Sequence, residues 1–153
     1  MGREDGGLAP TASACHVTAF PQMSKIGGLI RFRGMNDTKA VALKYFELWT
    51  SRQLDRAYEL VAEDLQLTTP MNAYASAAAV KPALAKFLEM MKSARLVDLV
   101  AEGERAMLLY ECVLPFGTLR TAEHVRVVDG KIRSIELVYD ATELRKLMPA
   151  GRK

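Results

Sequence analysis

The 153-residue chain lacks the features of several specialised protein classes. Two cysteines are too few for a disulfide scaffold, and no apolar run reaches the length of about 18 residues that a spanning helix needs. Two histidines and two separated cysteines do not make a metal-ligand cluster. The sequence has neither a glycine-rich phosphate loop nor a G-x-S-x-G turn. We therefore expect no metal and no cofactor, and we interpret Cys15 and Cys112 as free thiols of a cytoplasmic protein.

Neither sign of charge is in strong excess. The 21 basic and 18 acidic residues give a net charge of +3, and most of the surplus lies near the N-terminus. A balance of this kind does not indicate a nucleic-acid or membrane-surface partner. Half of the residues are apolar and a quarter are charged, which is typical of a globular domain.

The first 34 residues differ in composition from the remainder. They hold six of the ten glycines and two of the six prolines, and they show no sustained helix or strand period. The stretch Leu8–Val17 is too weakly apolar for a signal peptide. We expect residues 1–34 to be a flexible extension and residues 35–153 to form a single domain.

The domain begins with helical periods. A first helix starts at Asn36 or Asp37, a second carries its apolar residues from Leu54 to Val61, and a third starts near Pro82. The spacing i, i+3, i+4, i+7 defines the apolar face of the first helix, which comprises Ala42, Tyr45, Phe46 and Trp49. Between the second and third helices, residues 65–69 predict a short strand.

A strand period replaces the helical one after the third helix. Four strands are predicted over residues 95–101, 106–114, 119–128 and 132–139, and Asp129-Gly130 between the last two is a strong hairpin signal. Asp140 is then expected to cap a short last helix, with Glu143 completing a capping box. The sequence therefore predicts an α+β fold of three helices, a mostly antiparallel sheet and a short C-terminal helix.

Two segments of the domain carry a family resemblance: YFELWTSRQLDRAYELVAEDLQLTTP, from Tyr45 to Pro70, and AEHVRVVDGKIRSIELVYD, from Ala122 to Asp140. They resemble the nuclear transport factor 2-like (NTF2-like) superfamily, which includes SnoaL-like polyketide cyclases, ketosteroid isomerases and limonene-epoxide hydrolases. The resemblance implies a curved sheet wrapped around helices to form a cone with an apolar pocket. It also implies homodimerisation through the outer face of the sheet. Because this fold carries many activities, the resemblance is more specific for fold than for function.

The resemblance places two of three isomerase roles on suitable side chains. The helix-one tyrosine falls on Tyr45 and the strand acid on Glu123, whereas the aspartate base falls on Thr69. Threonine does not titrate near neutral pH, which argues against steroid isomerisation by the family route. A second inward acid, as the epoxide hydrolases need, is not evident. A SnoaL-like reaction needs one acid–base carboxylate, and Glu123 qualifies, with Tyr45 as its expected hydrogen-bond donor.

Strand alternation places Thr121, Glu123, Val125 and Val127 on one face and His124 on the other. We expect the first face to line the pocket, where burial raises the pKa of Glu123 unless Arg105 or Arg120 pairs with it. The other expected pocket residues are Trp49, Leu67, Thr69, Met71, Val125, Leu137 and Tyr139.

Two functional classes remain open at the level of sequence. The first is a protein that binds a small, largely apolar molecule in the cone, with proton transfer as its candidate chemistry. The alternative is a non-catalytic dimeric interaction module whose cone is filled by its own side chains. A cavity of roughly 300 Å³ or more favours the first class, and a filled cone favours the second.

Overall fold

The computed structural model describes residues 36–147, in which two helices and two strands precede a third helix, four strands and a last helix. The order matches the predicted α+β layout, with an additional two-residue strand before the third helix. The elements are α1 (Asn36–Thr50), α2 (Leu54–Tyr58), β1 (Val61–Thr68), β2 (Ala73–Tyr74), α3 (Ala77–Met90), β3 (Ser93–Glu102), β4 (Arg105–Leu114), β5 (Gly117–Val128), β6 (Lys131–Tyr139) and α4 (Thr142–Leu147).

The six strands form a single mixed sheet in the order β2-β1-β6-β5-β4-β3. Strands β1 and β6 run parallel, and every other neighbouring pair is antiparallel. The register shifts in three of the five pairings, for example between Arg126 and Val127 in β5. Such irregularities bend strands and increase their twist, which curves the sheet without closing it.

Helix α1 packs its apolar side against the concave face of the sheet. Ala42, Tyr45, Phe46 and Trp49 are all buried, as their spacing predicts. At its start, the Thr38 hydroxyl donates a 2.7 Å hydrogen bond to the carbonyl of Gly103 in the β3–β4 turn. This contact joins the first turn of the helix to one end of the sheet.

Two boundaries of the predicted helices are wrong. Val61 belongs to β1 rather than to the second helix, and it pairs with Ile132 of β6. Helix α3 begins at Ala77, and the hydroxyl of Ser76 caps it by accepting from the amide of Ala79 at 3.2 Å. Pro82 lies inside this helix, where it removes one backbone hydrogen bond without ending the helix.

The last two predicted turns form with one difference. Asp129 and Gly130 both have positive φ, as a tight two-residue hairpin requires. The Asp140 carboxylate accepts from the backbone amide of Thr142 at 2.9 Å and from its hydroxyl at 2.6 Å. The expected capping box is absent from these described contacts, because Glu143 pairs instead with Lys146 at 2.6 Å.

Part of the sequence interpretation concerns residues outside 36–147. The predicted extension at residues 1–34, Cys15 and the C-terminal Met148 lie there. None of the helices in the described part of the chain is long and apolar enough to cross a membrane.

Candidate functional site

A cavity of about 430 Å³ opens between the concave face of the sheet and the helices α1, α3 and α4. Its wall is mainly apolar and aromatic. From the sheet it receives side chains of β1, β4, β5 and β6, and its rim includes the loop between β1 and β2. The volume lies within the range of small-molecule pockets, which begins at roughly 300 Å³.

Eight of the nine predicted site residues lie on the wall of this cavity. They are Tyr45, Trp49, Leu67, Thr69, Met71, Glu123, Leu137 and Tyr139. Val125 does not line it. Although Val125 is on the same face of β5 as Glu123, it is fully buried in the core, where it pairs with Ala106 and Ile135. Alternation determines the face of a strand but not how far along the strand a cavity extends.

Glu123 is the acid of the cavity wall. It lies on β5 opposite Leu108 of β4 and Leu137 of β6, and its side chain is only 3% exposed. Burial disfavours the carboxylate and raises the pKa of Glu123 to about 7, although a hydrogen bond from Tyr110 acts in the opposite direction. Arg120, which sequence analysis considers as a partner, pairs with Glu111 at 3.6 Å instead.

Tyr110 is the functional candidate that sequence analysis missed. The β4–β5 register places it opposite Thr121, so it is a diagonal neighbour of Glu123 on the concave face. Its ring centroid lies 5.2 Å from that of Phe46 and 5.7 Å from that of Trp49. Alternation within residues 105–114 already places Tyr110 on the face of Ala106 and Leu108, but the neighbour across the strands depends on register.

Tyr45 lines the cavity, as the sequence predicts. Burial raises its pKa well above the ordinary value, and the nearby charge of Glu123 raises it further. The expected donor is Tyr45, but Tyr110 is the residue whose hydrogen bonding lowers the pKa of Glu123. Because burial raises the pKa of both Tyr45 and Tyr110, both phenols stay protonated at neutral pH, and the hydroxyl of Tyr45 can donate to a ligand.

Thr69 has a structural role at the rim of the cavity. Its hydroxyl accepts hydrogen bonds from the backbone amides of Met71 at 3.1 Å and Asn72 at 2.8 Å. These bonds stabilise the turn between β1 and β2, which contains Pro70. The position at which isomerases of the superfamily carry their base is therefore occupied by a turn-stabilising hydroxyl.

The remaining polar groups of the cavity limit the reactions that the site can carry out. Cys112 is a free thiol on the wall, and burial raises its pKa to about 12, so it is protonated at neutral pH. Residues 36–147 contain no group of three or more metal-ligating side chains. The arrangement can therefore anchor a ligand through Glu123 and the two phenols, or exchange a proton at Glu123.

Comparison with solved structures supports the fold. A protein from Kribbella flavida is 25% identical with a TM-score of 0.68, over 71% of this chain and 90% of that one. An NTF2-like protein from Cytophaga hutchinsonii is 17% identical with a TM-score of 0.63, over 71% and 94%. A steroid delta-isomerase from Pseudomonas aeruginosa is 21% identical with a TM-score of 0.60, over 67% and 79%. These structures confirm that the chain has the NTF2-like fold.

The comparison with protein families is more specific. No curated protein matches the chain. A family model for the SnoaL-like domain matches residues 42–135, which extend from the middle of α1 into β6 and include Tyr45, Tyr110 and Glu123. The match covers more than half of the chain, and the chain belongs to the SnoaL-like domain family.

Proposed function

We propose that this protein binds a small, largely apolar molecule in its cavity, with Glu123 as the polar anchor. The observation that carries the proposal is one buried carboxyl group on the wall of an otherwise mainly apolar cavity of about 430 Å³. This volume exceeds the roughly 300 Å³ that separates a ligand pocket from a filled cone. It therefore favours ligand binding over the interaction module with a filled cone.

Proton transfer is the reaction that such a site supports best. A pKa of about 7 lets Glu123 both accept and donate a proton near neutral pH, which is the property of an efficient general acid–base. Tyr45 donates a hydrogen bond to the ligand in this proposal, and Tyr110 holds the carboxylate. The steroid isomerase route of the superfamily is not proposed, because Thr69 occupies the position of the base.

Two tryptophan substitutions on adjacent residues of β6 test ligand binding. Leu137 lines the cavity, whereas Val138 points to the opposite face and is 62% exposed. With 1-naphthalenemethanol as the probe in isothermal titration calorimetry, we expect the native protein and Val138→Trp to bind it. Leu137→Trp narrows the cavity beside Glu123 and should weaken the binding. Equal binding by the two variants would place the probe elsewhere and contradict the proposal.

Homodimerisation through the convex face of the sheet is a second part of the proposal. Four apolar side chains are exposed there: Val138, Val100 at 58%, Met107 at 42% and Val113 at 37%. The face also includes His124, which pairs with Met107 and Glu136 across the strands. A two-fold contact between such faces would cover these side chains.

The free thiol of Cys112 supports the proposed cytoplasmic location.

A further inference from the structure

Glu123 lacks a basic partner among the described residues. The ion pairs of residues 36–147 use other acids, and Glu111 takes both Arg95 and Arg120. The basic residue on the cavity wall is Lys86, which is exposed on α3. The site therefore combines a buried carboxyl group with a wall that supplies no buried positive charge.

The groups packed around Glu123 favour an incoming cation. Tyr45 from α1 and Tyr110 and Cys112 from β4 are its titratable neighbours, and all three stay uncharged at neutral pH. Hydrogen bonding by Tyr110 lowers the pKa of Glu123 and so favours the ionised form of the carboxyl group. The second oxygen of a carboxylate remains able to accept from a ligand donor.

Aromatic rings make up much of the remaining wall. Trp49 and Tyr110 have ring centroids 5.7 Å apart, and Tyr74, Phe87 and Tyr139 also line the cavity. The face of an aromatic ring attracts an ammonium group within about 6 Å of its centroid, and the attraction is stronger where water is excluded. A cation beside Glu123 would therefore meet an anion on a wall that also carries aromatic rings.

The cost of binding a cation at Glu123 depends on whether folding or binding removes water from the carboxylate. Burying an ion pair is often unfavourable because both ions are desolvated. Here the fold has already desolvated Glu123, so a ligand needs to offset only the desolvation of its own cation. We infer that the cavity selects a small apolar molecule carrying a protonated amine, with the ammonium group bound to Glu123 and flanked by aromatic rings. The inference rests on the proposed binding function and adds the class of ligand.

A matched pair of probes tests the class of ligand. 1-Naphthylmethylamine and 1-naphthalenemethanol share one apolar body and differ in the ammonium and hydroxyl groups. Titration calorimetry at about pH 5.5 and about pH 8 brackets the pKa of about 7. Because the ammonium needs the ionised acid, we expect the amine to bind about 30-fold tighter at the higher pH. At that pH it should also bind more tightly than the alcohol.

Two variants test whether Glu123 is the residue that recognises the amine. Glu123→Gln keeps the shape of the side chain but removes the charge, so it should abolish both the pH dependence and the preference for the amine while the alcohol still binds. Glu89→Gln removes an exposed acid of α3 that does not line the cavity, and it should preserve both. If the Glu123→Gln protein keeps the preference, the amine is recognised elsewhere and the inference is wrong.

The outcomes separate the inference from the function on which it rests. Binding of the alcohol as tightly as the amine at about pH 8 would overturn the inference and leave the proposed binding function intact. Binding of neither probe by the native protein would overturn both.

Discussion

The buried carboxyl group of Glu123 should make the stability of the protein depend on pH. Its pKa rises from an ordinary value of 4.5 to about 7 in the folded state, mainly because of burial. Between these values the folded protein binds more protons than the unfolded chain, so the free energy of unfolding falls as pH rises. The stabilisation is complete below about pH 4.5 and is lost above about pH 7. A change in pKa of this size corresponds to about 3 kcal/mol.

Urea denaturation of the native protein and of Glu123→Gln isolates this contribution, because other titrating groups affect both proteins alike. Between about pH 4.5 and about pH 8, we expect the native protein to lose about 3 kcal/mol of unfolding free energy relative to the variant. The free energies at each pH come from linear extrapolation to zero urea. Parallel pH profiles of the two proteins would refute the reasoning, because they would mean that the pKa of Glu123 is the same in the folded and unfolded states.

Three further predictions concern the neighbours of Glu123, the N-terminal segment and assembly. Tyr110→Phe should raise the pKa of Glu123, measured by NMR titration of its carboxyl carbon, because it removes the hydrogen bonding that favours the ionised form. Tyr45→Phe should change this pKa less, and the reverse order would contradict the role given to Tyr110. Deleting residues 1–34 should leave the melting temperature nearly unchanged, and a fall of more than about 5 °C would show that this segment stabilises the domain. Light scattering at micromolar concentration should give twice the chain mass, and Val138→Asp should reduce it to one chain; a native monomer that persists as concentration rises would count against the dimer.

The sequence predicts most of this fold because local rules and tertiary structure agree in most places. Period-two alternation predicts β3 to β6, and Asp129-Gly130 supplies the positive φ that its hairpin needs. The prediction fails where two rules compete. Pro82 is a strong helix-start signal, but Ser76 caps the helix one and a half turns earlier, and packing outweighs the hydrogen bond lost at the proline.

The site was predicted less completely because its key contacts cross between strands. The Glu123–Tyr110 contact depends on a β4–β5 register in which Leu108 faces Glu123 and Tyr110 faces Thr121. The turn between the two strands sets that register, and a shift of one residue would turn Tyr110 to the other face. Sequence analysis predicts Tyr45 instead, because its place on α1 follows from helical spacing and family resemblance and does not depend on strand register.

The position of Glu123 along β5 explains why its carboxyl group is buried and yet accessible to a ligand. Towards the end of the strand, Val125 and Val127 are packed in the core and do not line the cavity. Towards its start, Leu119 and Thr121 line the cavity together with Glu123. Glu123 therefore occupies the boundary, where the packed core desolvates the carboxyl group while the cavity leaves it open to a ligand. An acid two residues further along would be a buried charge without access to the cavity, which does not extend to Val125. The chemistry proposed for this domain thus depends on where the core ends along one strand, which alternation alone does not specify.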